Sequence, residues 1–291
     1  MGDAQMTQQA DDGPPFPTFT ERKVQDGISP WASEAYSRLI WPITGEFPSA
    51  ISVMKVRQSN TGDAEPLFNP ATGEWHEIAS HSITRKKVSA IEVLVRNLDA
   101  WSYVWEYNHM DHADPKIPGC EYITYGDLSD DDRPFTANPM REDWTWDWEE
   151  DSDKEFLVRC CGEDRPLGKA GRTMEVRPSE GNDFVTVKDY VGAVHPWIVS
   201  MRDDIIGALE TEFPCHPSTN LKLSTDRNDA PRHRIEPAEY WDMQNPSSRI
   251  QLFRTDNARN GVANWDRPGL TIEELEACAR AGTAQEYLIH I

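Results

Sequence analysis

Basic residues are scarce in this chain: 29 Lys plus Arg stand against 50 Asp plus Glu in 291 residues, a formal net charge of −21. A field of that sign repels a phosphate backbone and anionic lipid, which argues against nucleic acid as a partner. The densest basic run is only Arg85-Lys86-Lys87. Cysteine is sparse and unpatterned. Cys120, Cys160, Cys161, Cys215 and Cys278 make an odd count with no C-x-x-C pair, so no disulfide framework or redox motif is expected and the thiols should be reduced. No apolar run approaches membrane-spanning length, and no Asn-x-Ser/Thr acceptor occurs. The first residues, Met1 to Gln9, lack the basic region and apolar stretch of a signal peptide. These absences lead to the expectation of a cytoplasmic protein with no membrane partner. No internal repeat and no dinucleotide fingerprint are present, and no cofactor is expected.

What the chain does have is enough apolar sequence, 38% of residues, to bury a core without metals or disulfides. Residues 1–28 are polar and carry Pro14, Pro15 and Pro17, which reads as a flexible tail before a single globular domain over 29–291. A short helix is expected from Pro30, strands over 50–56 and 74–80, and a turn at Phe68 to Gly73. Ser89 and Glu92 have capping-box spacing, and Ile91, Leu94, Val95, Leu98, Trp101 and Trp105 follow a helical period, which predicts a helix over 89–108. Further strands are expected over 155–161, 172–177 and 249–254. A second long helix is predicted from Val187 to about Glu210, capped by Thr186 and Asp189, with a kink or restart at Pro196. A last helix is expected after Thr271. Helices and strands mix without βαβ alternation, so the fold class is α+β: a mixed or antiparallel sheet packed by at least two amphipathic helices, with a long irregular acidic loop between 108 and 155.

Four segments carry residue types that chemistry uses. Gly162-Glu-Asp-Arg-Pro-Leu-Gly-Lys-Ala170 looks like a phosphate loop, but five residues separate its glycines and Ala170 stands where a hydroxyl would hold magnesium, so a hairpin turn is the better assignment. His109, His112 and Asp114 approach a metal-ligand spacing without a completing pair, and no metal site is expected. Cys161, or its neighbour Cys160, paired with His195 would supply a nucleophile and a base. His195 lies beside an apolar helical stripe between Gly192 and Pro196, where a perturbed imidazole serves acid–base work and a satisfied core histidine is the competing assignment. Finally, Trp144, Trp146 and Trp148 alternate with Thr145 and Asp147 and are followed by Glu149 and Glu150. Twelve acidic residues lie between Gly126 and Glu155 against three basic ones. In an extended chain the period of two puts the three indoles on one face, and aromatic faces beside carboxylates attract cations.

Two functions follow. One is an enzyme of small-molecule metabolism, of group-transfer or condensation type, acting on a substrate with a cationic amine or guanidine. Its catalytic residues would be His195 and Cys161, and its binding residues Trp144, Trp146, Trp148, Asp147 and Glu149. The other is an acidic, tryptophan-rich interaction module that binds a basic protein partner. An enclosed pocket distinguishes the first and an exposed aromatic surface the second.

Overall fold

The structure is a computed structural model that describes residues 13–56, 63–111, 113–129, 132, 153, 155–212, 221–225 and 232–237. The Trp144 to Glu149 tract, the strand expected over 249–254 and the helix expected after Thr271 lie outside those residues. In chain order the elements begin α1 (Phe19–Asp26), α2 (Glu34–Ser37), β1 (Leu39–Pro42), β2 (Ser52–Val53), β3 (Glu65–Pro66), β4 (Phe68–Asn69), β5 (Glu74–Trp75), β6 (Ile91–Val95) and α3 (Arg96–His109). They continue β7 (Glu121–Thr124), β8 (Glu155–Cys160), β9 (Glu163–Asp164), β10 (Thr173–Val176), α4 (Val187–Ser200), α5 (Arg202–Glu212), β11 (Leu221–Leu223), β12 (Arg232–His233) and β13 (Ile235–Pro237). Helices and antiparallel strand pairs are both present, so the fold is α+β. A single domain was expected over 29–291; the chain divides into two compact units, one of Met1–Leu94, Thr173–Ser200 and Leu223–His233, the other of Val95–Arg172, Met201–Lys222 and Arg234–Ile291.

In the first unit, α1 falls within the stretch expected as tail. Its ends explain it: Thr18 and Glu21 form a reciprocal capping box, and Gly27 closes the helix in the left-handed region at φ 70°. The helix expected from Pro30 is reduced to α2, which starts later because Ser33 is the residue whose hydroxyl caps the Tyr36 amide. β1 pairs antiparallel with β2, and β2 with β3. β4 and β5 make a hairpin closed at Gly73, and the rest of the expected 74–80 strand turns into a 3₁₀ helix over Glu77–Ser80.

The largest correction concerns 89–95. These residues, expected as the first turns of a helix, lead into strand β6, and Glu92 is exposed on that strand instead of capping a helix. Ile91, Val93 and Val95 are buried in alternation, and β6 pairs antiparallel along its length with β10, from Ile91 opposite Val176 to Leu94 opposite Thr173. β-Branched residues at period two suit a strand, and the helix begins only at Arg96 without a side-chain cap. Leu94, expected in a buried stripe, is therefore half-exposed.

The other long helix starts as predicted, with Thr186 and Asp189 satisfying each other's amides. Val187, Tyr190, Val191, Val194 and Ile198 face the core. The break does not come at Pro196. The helix runs through it to Ser200, and Met201 separates it from α5. The carbonyl that a proline ring would press on belongs to Gly192, where the absence of a Cβ lets the backbone yield.

In the second unit α3 and α5 pack together. Their closest approach is at Gly207, where a Cβ would lie 2.7 Å from the Trp101 ring, whose indole N–H donates to Thr211 Oγ1 at 2.9 Å. In an exposed helix Gly→Ala gains about 1 kcal/mol. At this position overpacking against a held indole costs more, about 1–3 kcal/mol, so Gly207→Ala is expected to lower stability, as measured by urea unfolding. A stabilised variant would show that the two helices part without penalty. The Asn97 side chain, also on α3, accepts from the Ile235 amide at 2.8 Å and donates to the Ile235 carbonyl at 3.2 Å, pairing with β13 as a strand would. β7, β8 and β9 form an antiparallel sheet in which β8 and β9 are joined by the two-residue turn Cys161-Gly162. Both turn residues have positive φ, 53° and 84°, the geometry that matches the twist of a tight hairpin. A non-glycine residue there costs about 1–2 kcal/mol.

Candidate functional site

The most polar part of the first unit's core is a chain of rings around His233. Burial pushes its imidazole down to about 3, so it is neutral. Tyr36 Oη lies 3.4 Å from the Ser224 carbonyl, to which it donates, and 3.2 Å from His233 Nδ1. His233 Nε2 pairs with the Tyr190 hydroxyl. The neutral ring thus has a tyrosine hydroxyl at each nitrogen, each able to donate or accept. His195, the expected base, lies in the same core. Its Nδ1 accepts from Trp41 Nε1 at 3.0 Å, its ring stacks on Trp41 at 14°, and Phe47 covers it at 5.4 Å between ring centres. Burial lowers its proton affinity, and a hydrogen bond with the Gly45 backbone offsets part of that. His195 thus sits, buried, among satisfied aromatic partners.

An open cavity of about 600 Å³ in this unit is lined by Ser33, Glu34, Ser80, His81, Arg85 and Lys87, among others. Its cations rest on rings: Arg85 lies 5.4 Å from the Trp31 centroid, and Lys87 4.5 Å from that of Phe184. Hydroxyls with two cations and one carboxylate suit an anionic or polyhydroxyl guest better than an amine.

The second unit holds three groups of interest. Arg165 lies in the segment that looked like a phosphate loop. It turns inward, donating to Ser102 Oγ at 2.8 Å, the Leu157 carbonyl at 3.3 Å and Glu106 Oε2 at 2.7 Å, with its guanidinium 4.0 Å from the Phe156 centroid. Lys169 pairs with Asp204 at 2.8 Å. The segment's first glycine, Gly162, lies in the β8–β9 hairpin turn, and its side chains are committed to the protein itself. His109, expected as a possible ligand, is buried. Its Nδ1 donates to the Trp105 carbonyl at 2.7 Å, its ring stacks on Trp105 at 4.2 Å, and its Nε2 lies 3.7 Å from Glu163. Among the described residues no three His, Cys, Asp or Glu side chains are grouped to hold a metal; His112 lies outside them.

The second group is a thiol cluster. Cys161, the expected nucleophile, is exposed on its hairpin turn in the second unit, whereas His195 belongs to the first. The company Cys161 keeps is two other sulfurs: Cys160 Sγ is 3.8 Å from Cys161 Sγ and 3.5 Å from Cys120 Sγ. None of the three is in a disulfide. The third group is the outer face of α3. Trp105 and His109 are buried, while Arg96, Ala100, Tyr103, Tyr107 and Met110 form an exposed stripe, with Tyr103, Tyr107 and Met110 at 68%, 63% and 60% exposure.

Reasoning from sequence missed His233 and Tyr36, which lie in segments with no apolar period, and Cys120, whose neighbours are a turn. It also missed the tyrosine stripe, because attention went to the apolar side of the same helix. Among the described residues no helix is long and apolar enough to cross a membrane. No family model matches the chain, and no curated protein or solved structure matches it.

Proposed function

We propose that this chain is an acidic interaction module that binds a basic protein segment, with the outer face of α3 as part of the binding surface. The observation that carries this reading is the exposed stripe of Tyr103, Tyr107 and Met110 in a chain of net charge −21. Monomeric proteins expose isolated apolar side chains freely, but aligned aromatic ones over successive helical turns mark contact surfaces. The stripe ends at the helix C-terminus, where the backbone dipole is negative, and Asp111 follows it. Tyrosine faces take up lysine and arginine heads. The tract of Trp144, Trp146, Trp148, Asp147 and Glu149 offers the same pairing of rings and carboxylates in sequence.

The competing enzyme, a group transferase for a cationic amine or guanidine using His195 and Cys161, draws less support from the described residues. His195 is enclosed by rings, and the open cavity carries the wrong charge for such a substrate. Titration of the whole protein with an arginine-rich peptide separates the two. Binding is expected at low salt and should weaken as salt rises. Tyr103→Ser combined with Tyr107→Ser should weaken it five- to thirty-fold, from about 0.5–1 kcal/mol per exposed cation–π contact. Both side chains are exposed, so the double variant folds. Unchanged affinity in that variant would remove α3 from the surface. Absence of peptide binding together with saturable binding of agmatine, a small molecule with amine and guanidine groups, would favour the enzyme.

A further inference from the structure

The three sulfurs of Cys120, Cys160 and Cys161 are graded in exposure and joined end to end. Cys161 is exposed at the tip of the hairpin, Cys160 is buried beneath it, and Cys120 is half-buried just before β7. Cys160 is the middle member, 3.8 Å from one neighbour and 3.5 Å from the other. We propose that they form a thiol–disulfide relay, in which a small disulfide enters at Cys161 and the oxidation ends on the cross-strand pair Cys120–Cys160.

The strand register supports the end point. Glu121, the first residue of β7, lies opposite Arg159; Cys120 directly precedes the one and Cys160 directly follows the other, with their sulfurs 3.5 Å apart. A register continued by one pair would hold their Cα atoms about 4.5–5.5 Å apart, within the span a disulfide bridges. Cys160 and Cys161 are chain neighbours, whose Cα atoms lie about 3.8 Å apart across a trans peptide, below the usual disulfide range, so a bond between them is a transit state.

The steps balance. The Cys161 thiolate attacks one sulfur of a disulfide RSSR; the Cys161–SR bond forms, and RS⁻ leaves and takes up a proton. Cys160 then attacks the Cys161 sulfur, forming Cys160–Cys161 and expelling the second RS⁻, which receives the proton Cys160 gives up. Cys120 attacks the Cys160 sulfur, forming Cys120–Cys160 and returning Cys161 as a thiol with the proton from Cys120. One RSSR becomes two RSH, and the protein loses two electrons and two protons.

Two features favour this order. Cys160 is buried while Cys161 is exposed, so an outside disulfide meets Cys161 first. The carboxylates of Glu163 and Asp164, exposed directly after the turn, favour a cationic disulfide over an anionic one.

The test uses the whole protein and cystamine, a small cationic disulfide. The reaction is quenched with acid, the thiols are alkylated, and peptides are mapped without reduction. The wild-type protein should accumulate the Cys120–Cys160 disulfide with Cys161 recovered as a thiol. Cys161→Ser should form that disulfide at least ten-fold more slowly. Cys120→Ser should stop at oxidised Cys161, joined either to cysteamine or to Cys160. A wild-type end product with cysteamine on Cys161 and with Cys120 and Cys160 both still thiols would overturn the relay, and that result needs no variant to fold. Formation of Cys120–Cys160 at the wild-type rate in Cys161→Ser would overturn the entry point.

Discussion

Between pH 7.5 and pH 5 the protein is expected to lose about 2 kcal/mol of stability through His233 alone. In the unfolded chain this imidazole takes up a proton near its ordinary value of 6.5, whereas burial holds it down to about 3 in the folded protein. Below pH 6.5 the unfolded state therefore binds more protons than the native state. The stabilisation is complete about one unit above 6.5 and is lost as pH falls toward the folded value. The figure of about 2 kcal/mol holds for any folded value at or below about 4. His195, lowered by burial as well, adds in the same direction. Asp189, which Ser179 and Thr186 hold below the usual carboxylate range against the effect of burial, adds its share only at lower pH. Urea unfolding at pH 7.5, 6.5, 5.5 and 5 should show the decline, and His233→Gln should flatten it while lowering stability at neutral pH. Equal slopes in wild type and variant would show that His233 is protonated inside its ring of tyrosines.

Arg165→Ala is expected to cost about 3–5 kcal/mol, from the cavity left against Phe156 and the orphaned Leu157 carbonyl. The Arg165 side chain is 5% exposed, while its partner Glu106 is 51% exposed. That asymmetry separates packing from charge. Glu106→Gln removes a water-screened charge and should cost only about 1 kcal/mol. Arg165→Lys should rescue little, because an ammonium cannot reach three acceptors from one plane while lying on a ring. Similar small losses in Arg165→Ala and Glu106→Gln would reduce the guanidinium to an ordinary surface partner.

Features set by a few neighbouring residues were legible in the sequence. The Thr186–Asp189 cap, strands β8 and β10, the turn at Gly73 and the buried stripe of α4 each depend on side chains three or four positions apart, or on alternation within one strand. The stretch Ile91-Glu-Val-Leu-Val95 was not legible, because its apolar residues satisfy a period of two and a helical period together. Pairing with β10, some eighty residues later in the chain, decides between them. Distance in sequence hid the polar core for the same reason. His233 reaches Tyr36 across 197 positions, and its flanking arginines give no local sign of burial. Cys120 and Cys160 are 40 positions apart, and only strand register brings them together. The segment of Arg165 reads in sequence as a hairpin turn with no sign that the guanidinium is buried; Ser102 and Glu106, one turn apart on α3, draw it inward.

Asn97 does beside β13 what a neighbouring strand would do. Among the described residues β13 is an end strand of its sheet, and such a strand offers unpaired amides and carbonyls to any extended segment that drifts past. One carboxamide, which is itself a peptide group in miniature, occupies both vacancies at Ile235. An aliphatic side chain at position 97 would leave both groups of Ile235 without this partner, and the edge would then be closed by nothing that Asn97 supplies.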